Sequence, residues 1–285
     1  MSAVPDGYRS GFVTLVGRPN VGKSTLLNKI LGEKVSIVSD KPQTTRSQVR
    51  GVLHQPGMQL VFVDTPGMHK PRGPLGERLN EAAQSTIGDV DVVCVLVDAT
   101  KPIGPGDRWV VERCPSDAIL IVNKTDIAKP DQVLAQLAEA AHFDLDAYFP
   151  VSAKTGAGVA ELIEHLGSRM PEGPPYYPED MVSDSPDAFW VAELVREQLL
   201  RMLRDEIPHS IATRVTEMDW PHIRCEILVE RDSQKGIVIG KKGSVLKQVG
   251  TEARKQLRDG TYLDLVVKVS KNWQTETELL EQLGY

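Results

Sequence analysis

The amino-acid sequence predicts an α/β domain with a doubly wound, mostly parallel sheet, followed by a smaller α+β domain. Three observations support this prediction. Short apolar runs alternate with amphipathic stretches over residues 1–170, a proline-rich segment follows, and the later pattern changes to alternating strands around a glycine loop. The chain of 285 residues is long enough for two domains, since a domain typically holds about 100–200 residues.

The first domain, predicted over residues 1–170, alternates strands with helices. The strands are near-continuous apolar runs bounded by Gly, Pro or Asp, which is typical of strands covered on both faces. They span residues 12–16, 59–63, 92–97 and 118–122. The helices span residues 23–31, 76–85, 131–141 and 159–170. This alternation predicts βαβ units and therefore the doubly wound sheet.

A break separates the two predicted domains. Residues 170–180 contain four prolines and a glycine, which cannot sustain a helix or a central strand. We predict a stiff linker over residues 171–187; the alternative is a long loop within one domain. The second domain is predicted over residues 188–285 as a helix (188–206), two strands (211–218, 223–230), a helix–glycine loop–helix unit ending with residues 244–257, a strand (262–269) and a short helix (276–283).

Composition excludes several classes of protein. With 41% hydrophobic residues the chain is not mostly disordered, and its longest apolar runs are too short to cross a bilayer. Residues 1–6 lack the pattern of a secretory signal, so we expect a cytoplasmic protein. The three cysteines (Cys94, Cys114 and Cys225) form no C-x-x-C pair and suit a reducing compartment better than a metal site.

The net charge of −6 is unevenly distributed. Residues 224–271 carry eleven Lys/Arg and six Asp/Glu, a net charge of +5, which leaves −11 for the rest of the chain. Such asymmetry suggests an acidic domain joined to a basic domain that binds polyanions. The alternative is a chance imbalance on a solvated face.

A phosphate-binding loop is predicted where the first strand meets the first helix. Residues 17–24, GRPNVGKS, match G-x-x-x-x-G-K-[ST]. Glycines let backbone N–H groups converge on phosphates, and the N-terminus of the helix adds positive potential. Lys23 can reach the β- and γ-phosphates, and the Ser24 hydroxyl can bind magnesium. The predicted nucleotide contacts here are Gly17, Arg18, Pro19, Asn20, Val21, Gly22, Lys23, Ser24 and Thr25.

Two later segments are predicted to complete the magnesium site. Asp64 follows an apolar strand, where a carboxylate faces the ligand crevice of an open sheet and can hold Mg²⁺ through water. Gly67 can bring its N–H close to the γ-phosphate. In the polar residues 41–46 (KPQTTR), a threonine can ligate the metal when a γ-phosphate is present; Thr45 is the first choice and Thr44 the second. The predicted contacts of the DTPG segment are Asp64, Thr65, Pro66 and Gly67.

The segment NKTD at residues 123–126 predicts a guanine base. A carboxylate at Asp126 can accept hydrogen bonds from the ring N–H and the exocyclic amine of guanine, whereas adenine would leave it unpaired. Asn123 would brace the pocket, and the stem of Lys124 would lie along the base. In the segment Ser152–Ala153–Lys154, the Ala153 N–H could donate to the guanine carbonyl.

A G-x-x-G loop with two lysines follows a helical segment of the second domain. KH domains use such a loop to clamp a single-stranded nucleic-acid backbone, because the glycines permit close approach and the lysines meet phosphates. The residues alone leave RNA and DNA open, as well as a plain glycine turn between helices. The predicted RNA contacts are Ile239, Gly240, Lys241, Lys242, Gly243 and Lys247.

The ordered set GRPNVGKS, QTTR, DTPG, NKTD and SAK resembles the translation-factor-related small P-loop GTPases. Together with a second domain similar to type II KH domains, it resembles the Era family of bacterial ribosome-assembly GTPases, in the TrmE-Era-EngA-like superfamily. The resemblance implies hydrolysis of GTP to GDP with Mg²⁺, binding of the 3′ end of 16S rRNA and of the 30S subunit, and a monomer.

Two residues bear on the implied catalysis. Met68 stands where Ras-like proteins have a water-orienting glutamine, so we expect slow turnover that depends on Lys23, Gly67, Thr45 and magnesium. Asn20 stands where related GTPases hold K⁺, which makes potassium stimulation a hypothesis. Two other functions stay open: a regulatory GTPase associated with the cell membrane, and an ATP-dependent kinase or transporter subunit, against which Asp126 argues.

Overall fold

The computed structural model describes residues 6–70 and 73–285. Residues 1–5, which belong to the predicted first domain and to the segment that lacks the pattern of a secretory signal, lie outside the described residues. Contacts divide the described chain into two units. One contains residues 6–36, 45–70 and 73–184; the other contains residues 37–44 and 185–285. Among the residues described, no helix combines the length and apolarity needed to cross a membrane.

Within the described residues, the first unit is built on a six-stranded sheet with the order β2-β3-β1-β4-β5-β6. β1 pairs in parallel with β3 and β4, and β5 pairs in parallel with β4 and β6. Only the β2–β3 hairpin pairs antiparallel in this sheet as described, which confirms the predicted mostly parallel sheet. Its strands are β1 (Arg9–Gly17), β2 (Val49–Gln55), β3 (Met58–Asp64), β4 (Val92–Asp98), β5 (Ile119–Asn123) and β6 (Ala147–Pro150).

Helices connect these strands, as predicted from the alternating pattern. Strands such as β5 are buried along their whole length because helices cover both faces of the sheet, which explains their continuous apolar sequences. β2 and the seven-residue α3 were not predicted. The helices of this unit are α1 (Lys23–Leu31), α2 (Pro74–Gly88), α3 (Pro105–Val111), α4 (Pro130–Ala140) and α5 (Val159–Arg169).

The proline-rich segment lies along the first unit. Isolated antiparallel bridges join Glu172 to Arg9 and Ser183 to Gly51. Gln59, which is fully buried, accepts hydrogen bonds from the backbone N–H groups of Tyr176 and Tyr177 through its side-chain oxygen. Residues 171–184 therefore belong to the first unit by contacts, and the division between the units falls after residue 184, inside the segment predicted as a linker (171–187).

The second unit contains the predicted order of helix, two strands, helix–loop–helix and strand. In the described residues its sheet has the order β7-β8-β9, with β8 antiparallel to β7 and parallel to β9. The apolar faces of the helices and the sheet share one core around Val195, Ile227, Val238 and Val249. Its elements are α6 (Asp187–Met202), β7 (Ala212–Asp219), β8 (His222–Val229), α7 (Asp232–Ile239), α8 (Ser244–Arg254), β9 (Tyr262–Val269) and α9 (Thr277–Gln282).

Candidate nucleotide and RNA sites

The phosphate loop joins the end of β1 to the start of α1. Gly22 has a φ of 103°, and a Cβ there would lie 2.3 Å from Asn123 Nδ2, so the loop requires glycine at this position. Lys23 is buried, and its Nζ donates to the Gly17 and Arg18 carbonyls at 3.2 and 3.4 Å. Burial lowers the pKa of Lys23 to about 8, and the negative charge of Asp64 offsets part of this effect. An ammonium group is thus held inside a loop of backbone amides.

Four side chains converge beside this loop in a cluster that we call the metal cluster: Ser24, Ser36, Thr45 and Asp64. Asp64 Oδ2 accepts hydrogen bonds from Ser24 Oγ at 2.7 Å and from Ser36 Oγ at 2.9 Å. The hydroxyl oxygens of Ser24 and Thr45 lie 3.0 Å apart. Ser24, Thr45 and Asp64 were predicted from the sequence, whereas Ser36 was not, since no motif marks it.

The metal cluster fits a magnesium ion. Asp64 is fully buried, yet its Oδ1 has no hydrogen-bond partner among the described residues. Burial raises the pKa of this carboxyl group, although Lys23 and the hydroxyls of Ser24, Ser36 and Thr45 offset part of the effect. A divalent cation would stabilise the carboxylate, and hydroxyl and carboxylate oxygens are the ligands that Mg²⁺ prefers. Ser24 and Thr45 would ligate the ion and Asp64 would hold it through water.

Of the two candidate threonines, only Thr45 lies in the metal cluster. Thr44 Oγ1 instead donates to the Lys41 carbonyl at 2.7 Å. In the DTPG segment, Thr65 Oγ1 is buried and donates to the Leu15 carbonyl at 3.0 Å, so its hydroxyl holds the sheet rather than a ligand. Met68 N–H donates to the Gly17 carbonyl at 3.0 Å, which ties Gly67 and the rest of this segment to the phosphate loop.

The base-recognition segments are linked to the phosphate loop through Asn123. Asn123 is buried; its Nδ2 donates to the Val21 carbonyl at 2.8 Å, and its Oδ1 accepts from Ala153 N–H at 3.0 Å. Asp126 is exposed and accepts a hydrogen bond from Ser152 Oγ at 2.8 Å. The predicted bracing by Asn123 thus has a geometric basis. The Ala153 N–H proposed for the guanine carbonyl is already engaged with Asn123 here, so a bound base would have to share it.

Lys124 forms hydrogen bonds that the sequence did not indicate. Its Nζ donates to Asp98 Oδ2 and to the Asn20 carbonyl, both at 2.7 Å. Asp98 Oδ1 in turn accepts from Thr100. Asp98 comes at the end of β4, so the topology brings it beside the end of β5, a neighbour that spacing in sequence does not show. Lys154 and Arg18 are exposed, and Arg18 forms an ion pair with Asp107.

The glycine loop of the second unit presents its lysines to solvent. Gly240 has a φ of 74°, and a Cβ there would lie 2.8 Å from the backbone N of Val245, so glycine permits the close turn between α7 and α8. Lys241, Lys242 and Lys247 are exposed, and none forms an ion pair with another described residue. The adjacent Ile239 is half-buried. The loop therefore combines free positive charge with close backbone access, as phosphate binding requires.

Comparisons with known proteins match the two parts of the chain to two different families. A family model described as "50S ribosome-binding GTPase" matches residues 12–124, and one described as "KH domain" matches residues 206–274. The chain is 47% identical to the GTPase Era of Mycobacterium avium (strain 104), over 98% of this chain and 99% of that protein. The chain belongs to the Era family of GTPases. The GTPase Era of Mycolicibacterium paratuberculosis shows the same identity and coverage.

Two solved structures of the Era family superimpose on nearly the whole chain. One is Era in complex with MgGDPNP and nucleotides 1506–1542 of 16S ribosomal RNA, with a TM-score of 0.92 and 38% identity, covering 97% of this chain and 99% of that one. The other is a variant of Aquifex aeolicus Era bound to GDP·AlF₄⁻, with a TM-score of 0.91 and 38% identity over the same shares. The predicted family and the predicted P-loop GTPase and KH domains are thereby confirmed.

Proposed function

We propose that this protein binds GTP with Mg²⁺ and hydrolyses it to GDP in the first unit, and that it binds the 3′ end of 16S rRNA through the KH domain during assembly of the 30S subunit. One observation carries the proposal. The chain places an unsatisfied, buried Asp64 oxygen beside the phosphate loop, as expected of a relative of a protein crystallised with MgGDPNP and 16S rRNA.

In this proposal, the first unit binds and orients the triphosphate. Magnesium, when bound, supplies charge neutralisation at the β- and γ-phosphates. Lys23 would donate to these phosphates after exchanging the two loop carbonyls that it now binds. The Gly67 N–H would contact the γ-phosphate. Met68 is fully buried in the core and carries no group that can orient water, so turnover would be slow. Potassium binding at Asn20 remains part of this proposal.

Asp126 would select the base. Its position beside Ser152 leaves the second carboxylate oxygen for the donors of guanine. Displacement of labelled GDP from the full chain tests this role: unlabelled GTP should compete at equal concentration, while ATP should not compete at a hundredfold excess. Equal competition by ATP would instead support the kinase or transporter hypothesis.

Substitution of the loop lysines tests the RNA-binding role. We expect Lys241→Ala/Lys242→Ala to weaken binding of an oligonucleotide with the 3′-end sequence of 16S rRNA by about tenfold or more, because two phosphate contacts are lost. GTP hydrolysis in the absence of RNA should be unchanged. Lys255→Ala/Lys271→Ala is the matched control, since both lysines are exposed, lie in the same domain and are outside the loop. Equal RNA affinity of the two double variants would contradict the proposal.

We place the protein in the cytoplasm, where it would act as a monomer on assembling subunits. Peripheral association with the cell membrane is the competing location. Flotation with anionic liposomes, with and without the same RNA oligonucleotide, separates the two: a KH domain that serves RNA should stay unbound to lipid in both samples. Flotation that RNA abolishes would instead show that lipid and RNA compete for the basic surface.

A further inference from the structure

Asp98 lies at the end of β4, beside the segment predicted to bind guanine. In the parallel pairing of β4 with β5, Asp98 is aligned with Asn123, and Lys124 follows one residue beyond. Ala99 N–H donates to the Asn123 carbonyl at 2.8 Å, which continues the pairing past the end of β4. The topology therefore places a carboxylate next to the NKTD segment, although the two are distant in sequence.

Both carboxylate oxygens of Asp98 accept hydrogen bonds. Oδ2 accepts from Lys124 Nζ at 2.7 Å, and Oδ1 accepts from the backbone N–H and the hydroxyl of Thr100 at 2.9 and 2.6 Å. The Asp98 side chain is 10% exposed, so these donors compensate its charge where water has little access. Burial acts to raise the pKa of Asp98, but the hydrogen bonds from Lys124 and Thr100 hold it below its ordinary value. The group therefore stays ionised, and Thr100 fixes its orientation.

Lys124 is held at both ends of its side chain. Its backbone has a φ of 71°, in the left-handed region that residues other than glycine seldom adopt. Its carbonyl accepts from the N–H groups of Ile127 and Ala128, both at 3.2 Å, which closes the turn after β5. The ammonium group donates to Asp98 and to the Asn20 carbonyl of the phosphate loop, both at 2.7 Å. The methylene stem between these two ends is thereby confined to one course.

We propose that Asp98 and Thr100 are positioning residues for guanine binding, which act by fixing the side chain of Lys124 so that its stem forms one wall of the base site. The inference rests on the proposed binding of GTP and GDP, in which that stem lies along the base. A stem that is ordered before binding loses little conformational entropy when the base covers it. Without the Asp98 carboxylate, the nucleotide itself would have to order the stem, and its affinity would fall.

The first test is a double-mutant cycle of Asp98→Asn and Lys124→Met in the full chain, read as the affinity for GDP with Mg²⁺. Asparagine keeps one acceptor oxygen, which cannot serve Lys124 and Thr100 together, whereas Lys124→Met keeps an apolar stem and loses the ammonium group. We expect Asp98→Asn alone to weaken GDP binding about tenfold, the order expected for loss of one charge-assisted hydrogen bond. In the Lys124→Met chain it should change the affinity less than twofold, because the group that Asp98 positions is gone.

A ligand without a base separates positioning from general damage to the site. Inorganic tripolyphosphate with Mg²⁺ offers phosphates to the phosphate loop and nothing to the NKTD segment. Its affinity, measured by calorimetry, should be the same within twofold for the wild-type chain and Asp98→Asn. The matched control is Asp117→Asn, which removes an exposed carboxylate paired with Arg169 Nη2 at 3.2 Å, before β5 and not after it. This control should leave the affinity for GDP within twofold of wild type.

The second test uses Thr100 and does not depend on the folding of the Asp98 variant. Thr100→Val removes the hydroxyl that donates to Asp98 Oδ1 and keeps the shape of the side chain, whereas Thr100→Ser keeps the hydroxyl. The affinity for GDP should fall about threefold in Thr100→Val and stay near the wild-type value in Thr100→Ser. The affinity for tripolyphosphate should be unchanged in both variants.

Several results would overturn the inference. They are an unchanged GDP affinity in Asp98→Asn, an equal loss of GDP and tripolyphosphate affinity, and a loss of GDP affinity that is the same with and without Lys124→Met. Equal GDP affinities of the two Thr100 variants would also contradict it. A wild-type chain that does not bind GDP would refute the proposed function itself, so the two failures can be told apart.

Discussion

The phosphate loop and the KH glycine loop hold their lysines in opposite ways. Lys23 is buried and already hydrogen-bonded to the Gly17 and Arg18 carbonyls. Lys241, Lys242 and Lys247 are exposed and unpaired within the described chain. In both loops a glycine permits a close turn of the backbone, so the difference lies in the surroundings of the charge.

This difference indicates two kinds of phosphate recognition. A buried lysine surrounded by fixed backbone groups exchanges one defined set of hydrogen bonds for another, which favours one ligand of one shape. Exposed lysines bind through their charge and the release of counterions. This mode of binding accepts any polyanion, and its affinity falls as the salt concentration rises. The first loop suits a catalytic site and the second suits RNA.

The largest effect is expected for the buried lysine. Lys23→Ala should lower the rate of single-turnover GTP hydrolysis by about 10²–10³-fold, because it removes a buried donor that the loop holds in place. Lys29→Ala, an exposed lysine on the same helix, is the control and should change the rate less than twofold. A rate within threefold of wild type for Lys23→Ala would remove the distinction between the two loops.

A smaller effect is expected for Ser36, the residue of the metal cluster that has no motif. Ser36→Ala should raise the Mg²⁺ concentration for half-maximal GTP hydrolysis about ten- to a hundredfold, because the hydroxyl orients the carboxylate of Asp64. Ser10→Ala is the control, since Ser10 is also buried and its hydroxyl donates to a backbone carbonyl remote from the cluster. If both variants need the same Mg²⁺ concentration, Ser36 only supports packing.

The smallest effect is expected when the salt concentration is changed and the affinities for RNA and nucleotide are compared. Raising monovalent salt from about 50 to 200 mM should weaken RNA binding about tenfold, as three phosphate contacts to a single strand imply, and change the affinity for a GTP analogue less than threefold. Lys247→Ala should reduce the slope of log affinity against log salt by about 0.7, whereas Lys255→Ala should not. Equal slopes for RNA and nucleotide would mean that exposure of the lysines does not decide their mode of binding.

Local patterns in the sequence were sufficient to predict most of the fold. The bounds of α1 and β9 were predicted to the residue, since α1 directly follows Gly22 and β9 has a clear alternation of apolar and polar residues. β2 was missed because Gly51 and polar residues interrupt its alternation, and it is an edge strand of the sheet. α3 was missed because seven residues hold too few turns for a periodic signal.

Candidate site residues could be predicted where a motif of consecutive residues marks them. The phosphate loop, Asp64 and the NKTD segment follow strands, and the topology brings strand ends together. Ser36 and Asp98 could not be predicted, since each acts through a partner distant in sequence. The buried charges of α6 could not be predicted either. Arg196 is buried where it pairs with Glu193 and donates to the Thr44 carbonyl, and the helical pattern alone shows neither partner.

The assignment of residues 37–44 to the second unit affects how this enzyme should be dissected. A fragment ending at residue 184 would carry every guanine-nucleotide motif in its sequence but would lack Arg196 and Glu197. Rate constants measured on such a truncated GTPase would then describe a chain in which residues 37–44 have lost their hydrogen bonds to α6. Kinetic work on this protein therefore calls for the intact polypeptide, even when RNA is absent from the assay.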